Sequence, residues 1–224
     1  MSSFMSASIG RKFLMSITGL FLISFLSIHI TLNLFLTFDD SGTLFNLAAH
    51  FMATNPFIRI MEPLLALGFV IHIIWSGWIT LENMRARPQK YDQGDQQLSW
   101  WAPSKNMFIL GSMVLIFLVI HIINFWVKLK FSGEVGSTTV DGVEMHNAYQ
   151  LVKDLFLHPW YGLLYIAGGI LIGLHISHGF WSAFQTIGFS NQIWLKRLKC
   201  LAVVIGFLFA LGFSYIPIYF IIKF

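Results

Sequence analysis

The sequence predicts an all-α membrane protein of five transmembrane helices, four forming a core and the fifth lying at its periphery. Three observations predict it. Of 224 residues, 56% are hydrophobic and only 11% charged, less than half the roughly 25% that a soluble domain carries. The few charges cluster, leaving five apolar stretches near the roughly 20 residues that a bilayer crossing needs. Basic residues also divide unevenly between the two sets of connections. These features exclude a soluble globule, a nucleic-acid module and a disordered chain. Residues 1–224 read as a single integral-membrane domain.

Span one covers residues 13–38, between Arg11-Lys12 and Asp39-Asp40. It is too long for the apolar region of a signal peptide, about 7–15 residues, and is expected to stay as a helix. Span two, 60–81, ends before Arg85-Ala86-Arg87-Pro88, and span three, 107–127, ends at Lys128. Span four, 160–184, follows His158-Pro159; span five, 200–222, follows Lys196-Arg197 and contains Pro217, a kink that membrane helices tolerate.

With five spans, alternate connections share a side. The N-terminus and the connections after spans two and four hold Arg11, Lys12, Arg85, Arg87, Lys90, Lys105, Lys196, Arg197 and Lys199; the other side holds Arg59, Lys128, Lys130, Lys153 and Lys223. The positive-inside rule then puts the N-terminus in the cytoplasm and the C-terminus outside. In the second outer connection Met145, Tyr149, Val152, Leu155 and Phe156 recur at helical spacing, predicting an amphipathic helix on the outer face.

Polarity inside the spans is concentrated in histidine. Of the eight histidines, His50, His146 and His158 fall in outer connections, while His29, His72, His121, His175 and His178 lie within spans one to four. Ionisable residues at that depth are costly and mark function. His29 and His121 lie past the midpoints of two outward-running helices, and His72 and His175 past the midpoints of two inward-running ones. They therefore form an outer and an inner pair, about seven residues or 10–12 Å apart at 1.5 Å per residue.

Two imidazoles at one depth on two helices match bis-histidine haem ligation; zinc takes three or four clustered ligands. Two six-coordinate haems have no open site for oxygen and suit electron transfer. Copper and a proton relay remain alternatives. The single Cys200 excludes an internal disulfide, an iron–sulfur cluster held by this chain and thioether-linked haem. Local sequence favours His175 over His178, since Leu174-His175-Ile176 repeats the aliphatic–His–Ile pattern of the other three sites. Spans one and three also share Phe four residues, and Gly ten residues, before the histidine (Phe25 and Gly19; Phe117 and Gly111). Small residues offer close helix packing, the reading for Gly169 and Gly173, or room for flat macrocycles, the reading for Gly68 and Gly179.

The arrangement resembles the membrane-anchor cytochrome b of succinate:quinone oxidoreductases (succinate dehydrogenase and fumarate reductase), of the five-helix, single-subunit, di-haem type. The resemblance spans nearly the whole chain. It rests on Arg11-Lys12, Ser16-Ile17-Thr18-Gly19-Leu20, His29 with Asn33-Leu34, and His178-Gly179-Phe180-Trp181-Ser182-Ala183-Phe184-Gln185-Thr186. The last run resembles a bacterial subgroup that uses menaquinone. The resemblance implies two b haems: a distal one on His29 and His121, and a proximal one on His72 and His175, with His178 as a propionate partner or alternative ligand. It also implies a bacterial cytoplasmic-membrane location and two partner subunits, a flavoprotein holding the succinate site and an iron–sulfur protein. These would dock on a basic face centred on Arg85, Arg87, Lys196 and Arg197. Quinone-site candidates are Asn33, Glu62 and Asn124 on the distal side, and Ser16 and Trp181 on the proximal side. One departure is Gly173, where some di-haem fumarate reductases carry a glutamate proposed for proton return. A di-haem cytochrome b of a hydrogenase, formate dehydrogenase or nitrate reductase is the alternative within electron transfer. A haem-free transporter or proton channel is the alternative outside it.

Overall fold

A computed structural model describes residues 8–85, 107–189 and 191–224; Arg87, Lys90 and Lys105 of the predicted basic face lie outside the described residues. Five helices are long and apolar enough to cross a membrane. They are α1 (Ser8–Leu34, prolonged by a 3₁₀ turn at Phe35–Thr37), α3 (Pro56–Arg85), α4 (Met107–His121, continuing as a π-helix over Ile122–Ser132), α6 (Pro159–Ile187) and α7 (Gln192–Lys223). The short elements are α2 (Thr43–Thr54), β1 (Ser137–Val140), β2 (Val143–His146) and α5 (Ala148–Phe156). The helices outrun the apolar stretches: α3 starts at Pro56 and α7 at Gln192. Once the apolar middle forces a helix, charged residues extend it at either end without meeting lipid.

α1 packs on α3 and α6, and α4 packs on α6 and touches α3. The four thus stand as a square with α1 and α4 on one diagonal, α3 and α6 on the other. α7 lies outside the square, pressed along the length of α6 and reaching α1. That seam is a backbone-to-backbone approach. A Cβ on Gly173 would overlap the carbonyl oxygen of Gly206, and one on Gly206 would overlap that of Gly173. A Cβ on Gly169 would come within 2.9 Å of the Ser214 hydroxyl, which donates to the Ile166 carbonyl at 3.3 Å. Gly169 and Gly173 are packing residues, as expected. Gly68 faces a neighbour as well: a Cβ there would meet the Phe21 ring at 2.9 Å. Large apolar side chains such as Ile74, Ile116, Val203 and Phe207 point outward, exposed, as a lipid-facing surface requires.

The densest packing lies at the end of the bundle where α7 finishes, called here the C-terminal end. Leu36, Tyr149, Val152, Leu155, Phe156, Tyr165, Ile216 and Phe220 form one buried cluster there. The predicted amphipathic helix exists as α5, with its apolar stripe laid on the helix ends. Met145 is buried as predicted, but from strand β2; α5 starts only at Ala148, behind Asn147, whose side chain caps it. Helix α2, which the sequence reading missed, completes the roof. The Asp39 carboxylate accepts from the Thr43 and Leu44 amides at 3.1 and 3.0 Å and from Ser41 at 2.7 Å. Burial raises the affinity of Asp39 for its proton, but these hydrogen bonds outweigh it and hold the carboxyl below its usual value. Asn46, buried, accepts from the Tyr149 amide at 2.8 Å and donates to the Asn147 side chain at 3.2 Å, tying α2 to α5. The last turn of α7 is anchored there as well: Lys223 pairs with Asp40.

These packing assignments predict a contrast. Gly173→Ala should destabilise the protein by about 1–3 kcal/mol through overpacking. Gly77→Ala, where an added Cβ meets nothing within 4 Å, should be neutral or stabilising by up to about 1 kcal/mol. Thermal unfolding in detergent measures both; equal melting temperatures would remove the case for backbone contact.

Candidate functional site

The four chosen histidines meet as two pairs, each across a diagonal of the square. The His29 and His121 ring centroids are 5.7 Å apart at an interplanar angle of 85°. Those of His72 and His175 are 6.4 Å apart at 71°. Among the described residues no three His, Cys, Asp or Glu side chains converge on one point, so each site is a two-donor site. Two metal–imidazole bonds of about 2 Å each place ring centroids roughly 6 Å apart, close to both separations.

The pairs sit at different levels. A Cβ on Gly19 of α1 would lie 3.4 Å from the His72 ring, and one on Gly111 of α4 would lie 3.4 Å from the His175 ring. The levels thus differ by ten residues, Gly19 to His29 and Gly111 to His121, or about 15 Å along a helix. This exceeds the seven residues inferred from sequence, a figure that measured each histidine from the midpoint of its own apolar stretch and not from the residues facing it across the bundle. The two glycines leave the walls facing His72 and His175 without side chains. Sequence reading noted them only as a similarity between spans one and three.

The pair nearer the C-terminal end is set among aromatic rings. Phe25 stacks on His29 at 5.3 Å, and Phe213, from α7, lies 6.1 Å away. Phe117, Phe125 and Tyr165 surround His121 at 6.1, 5.3 and 6.0 Å. The fifth helix therefore lines this site, a contribution invisible in its histidine-free sequence. In the other pair, the Thr18 hydroxyl lies 3.4 Å from His72 Nδ1, and His175 Nδ1 is buried without a hydrogen-bond partner. All four histidines retain some uncovered surface, so side-chain packing alone does not close the space around the rings. Two imidazole donors per level, with glycine walls at one level and aromatic rings at the other, could hold a metal carried in a flat apolar macrocycle.

The remaining candidates do not gather into one site. The Asn33 side chain donates to the carbonyl of His29 at 2.7 Å. Asn124, buried, donates to the Tyr165 hydroxyl at 3.1 Å. Glu62 accepts from Trp126 at 2.7 Å and pairs with Lys130 at 2.5 Å, bridging α3 to the π-helix. Ser16, buried, donates to the Lys12 carbonyl at 3.0 Å in its own helix. At the N-terminal end, His178 packs edge-on against Trp181 at 5.0 Å, and the Lys199 ammonium lies over Trp181 at 4.7 Å. His178 thus has its ring contact with Trp181 and lies three residues from His175 along α6. A Cβ on Gly179 would meet only Met107, at 3.8 Å. No family model, curated protein or solved structure matches the chain.

The Asn124–Tyr165 bond carries a prediction. Tyr165→Phe should cost about 1–3 kcal/mol by stranding a buried amide donor, and Asn124→Leu added to it should recover part of the loss. A double-mutant cycle on thermal stability checks this, strict additivity being the contrary result.

Proposed function

We propose that the chain is the membrane-anchor cytochrome b of a succinate:quinone oxidoreductase, carrying electrons through two bis-histidine b haems between an iron–sulfur subunit and a quinone of the menaquinone class. The observation that carries this reading is the placement of two histidine pairs, at two levels, on crossed diagonals of one helix square. His29 and His121 would hold the distal haem, and His72 and His175 the proximal one. Haem held by these residues would supply a one-electron centre.

The protein's own groups set the donors. In the apolar interior an imidazole is favoured neutral, the form that ligates. Thr18, beside His72 Nδ1, constrains which nitrogen faces the metal, as outer partners of metal-bound histidines do. Phe25 and Phe117 hold the His29 and His121 rings in place. The chain carries no succinate chemistry; that belongs to a flavoprotein partner. Arg85, Lys196 and Arg197, with Arg87 beyond the described residues, form the docking face, and the N-terminus lies in the cytoplasm of a bacterium, the C-terminus outside its inner membrane. Glu62 with Lys130 and Trp126, at one end, and Trp181 with His178, at the other, are the polar groups from which a quinone site would draw.

An absorbance spectrum of the purified, reduced protein tests the reading. Two b-type components are expected, and their absence would end the haem assignment. His29→Ala and His121→Ala should each lose the same component, and His72→Ala and His175→Ala the other; any other partition refutes the pairing. A succinate-oxidising flavoprotein should co-purify. Hydrogenase, formate dehydrogenase or nitrate reductase subunits in its place would reassign the anchor while keeping the haems.

A further inference from the structure

Arg11, Lys130 and Lys223 are each matched by a carboxylate, from Glu82, Glu62 and Asp40. Lys196, Arg197 and Lys199 are different: among the described residues, none of them pairs with an acid. All three are exposed and stand in the second turn of α7. At 1.5 Å per residue they lie within about 4.5 Å of one another along the axis. Like charges held so close repel one another, and an anion between them would relieve the repulsion.

The rotation of α7 shows which way these charges face. Leu198, Ala202 and Phe209 are buried, on the side that packs against α6. At about 100° per residue, Lys196 and Arg197 fall on the opposite side, in one stripe with Val203, Val204, Phe207 and Leu211, all four exposed. The two charges therefore head a lipid-facing apolar column. Lys199 stands at the edge of that column, its ammonium 4.7 Å from the centre of the Trp181 ring on α6; the Arg197 guanidinium lies 5.5 Å from that of Trp194. An aromatic face steadies a cation without neutralising it, and tryptophan settles at the level of lipid headgroups. The guanidinium keeps a fork of N–H donors that matches phosphate oxygens. A basic level followed at once by an apolar stripe complements both parts of a phospholipid. A free anion or a soluble acidic protein would use only the first.

We propose that Lys196, Arg197 and Lys199, with the stripe beyond them, bind an acidic phospholipid, its phosphate on the basic residues and its acyl chains along Val203, Val204 and Phe207. Lys196 and Arg197 thereby form the lipid-facing rim of the docking face proposed above. The site does not depend on the haem reading.

Electron spin resonance of the full-length protein in phosphatidylcholine vesicles tests this. Spin-labelled phosphatidylglycerol or phosphatidylcholine is added in trace, and the fraction of label immobilised on the protein is the readout. Phosphatidylglycerol should be preferred. Lys196→Gln and Arg197→Gln should each lower that preference, by up to about fivefold for one charge at the membrane surface. Lys12→Gln, which removes an exposed charge from the same end of the bundle, should leave it unchanged. Glycerophosphoglycerol, the same headgroup without acyl chains, should not displace the labelled lipid. No preference in the wild type, an unchanged preference in both site variants, or an equal loss in Lys12→Gln would overturn the site. Displacement by glycerophosphoglycerol would overturn the lipid assignment in favour of a free anion. Should either site variant fail to fold, the other decides alone.

Discussion

Hydrocarbon offers no hydrogen bonds, so every polar group in the spans must find its partner within the protein. The helix settles the backbone, and most hydroxyls settle themselves. Ser24, Ser27, Thr31 and Ser112 each donate to the carbonyl four residues earlier. Imidazole and indole reach no such carbonyl, so their positions are dictated by what stands across the bundle. The square of helices, the glycines that let walls approach and the aromatic rings around His29 and His121 follow from where those few groups must go.

The chain meets that constraint twice in nearly the same way. α1 with α3, and α4 with α6, are parallel solutions: a glycine opposite one histidine, and ten residues on, a histidine in ring contact with the phenylalanine four positions before it. The two halves are joined by the histidine pairs across the diagonals. They differ in surroundings. α7 adds Phe213 beside His29, whereas Tyr165 and Phe125 attend His121. The two histidine pairs also sit in unlike settings, aromatic rings around His29 and His121, glycines and the Thr18 hydroxyl beside His72 and His175.

Much of this was readable beforehand, for reasons that differ residue by residue. The five spans were legible because length and apolarity are local properties. The pairing of His29 with His121 and His72 with His175 was legible because helix direction and depth turn into axial position by simple arithmetic. The spacing of the levels was not, since it depends on which residues of α1 and α4 face His72 and His175 across the bundle. Phe25 and Phe117 were visible as a shared pattern, but their contact with the histidine rings needs side-chain direction. Helix α2 was missed because Asp39 caps it from beyond a turn. The roles of Asn124 and Glu62 were hidden because Tyr165 and Lys130, their partners, are far away in sequence.

The π-helix that follows His121 gives the fourth helix two faces that need not agree. The part up to His121 takes its rotation from His29 across the square, and the part carrying Trp126 and Lys130 takes its rotation from Glu62 on α3. A wide turn between them absorbs the angular mismatch. Wound as an ordinary α-helix, the same residues would keep the histidine pairing and swing Trp126 and Lys130 away from Glu62. The segment thus works as a coupling sleeve: its winding sets one end of the molecule while leaving the histidine-bearing half in register.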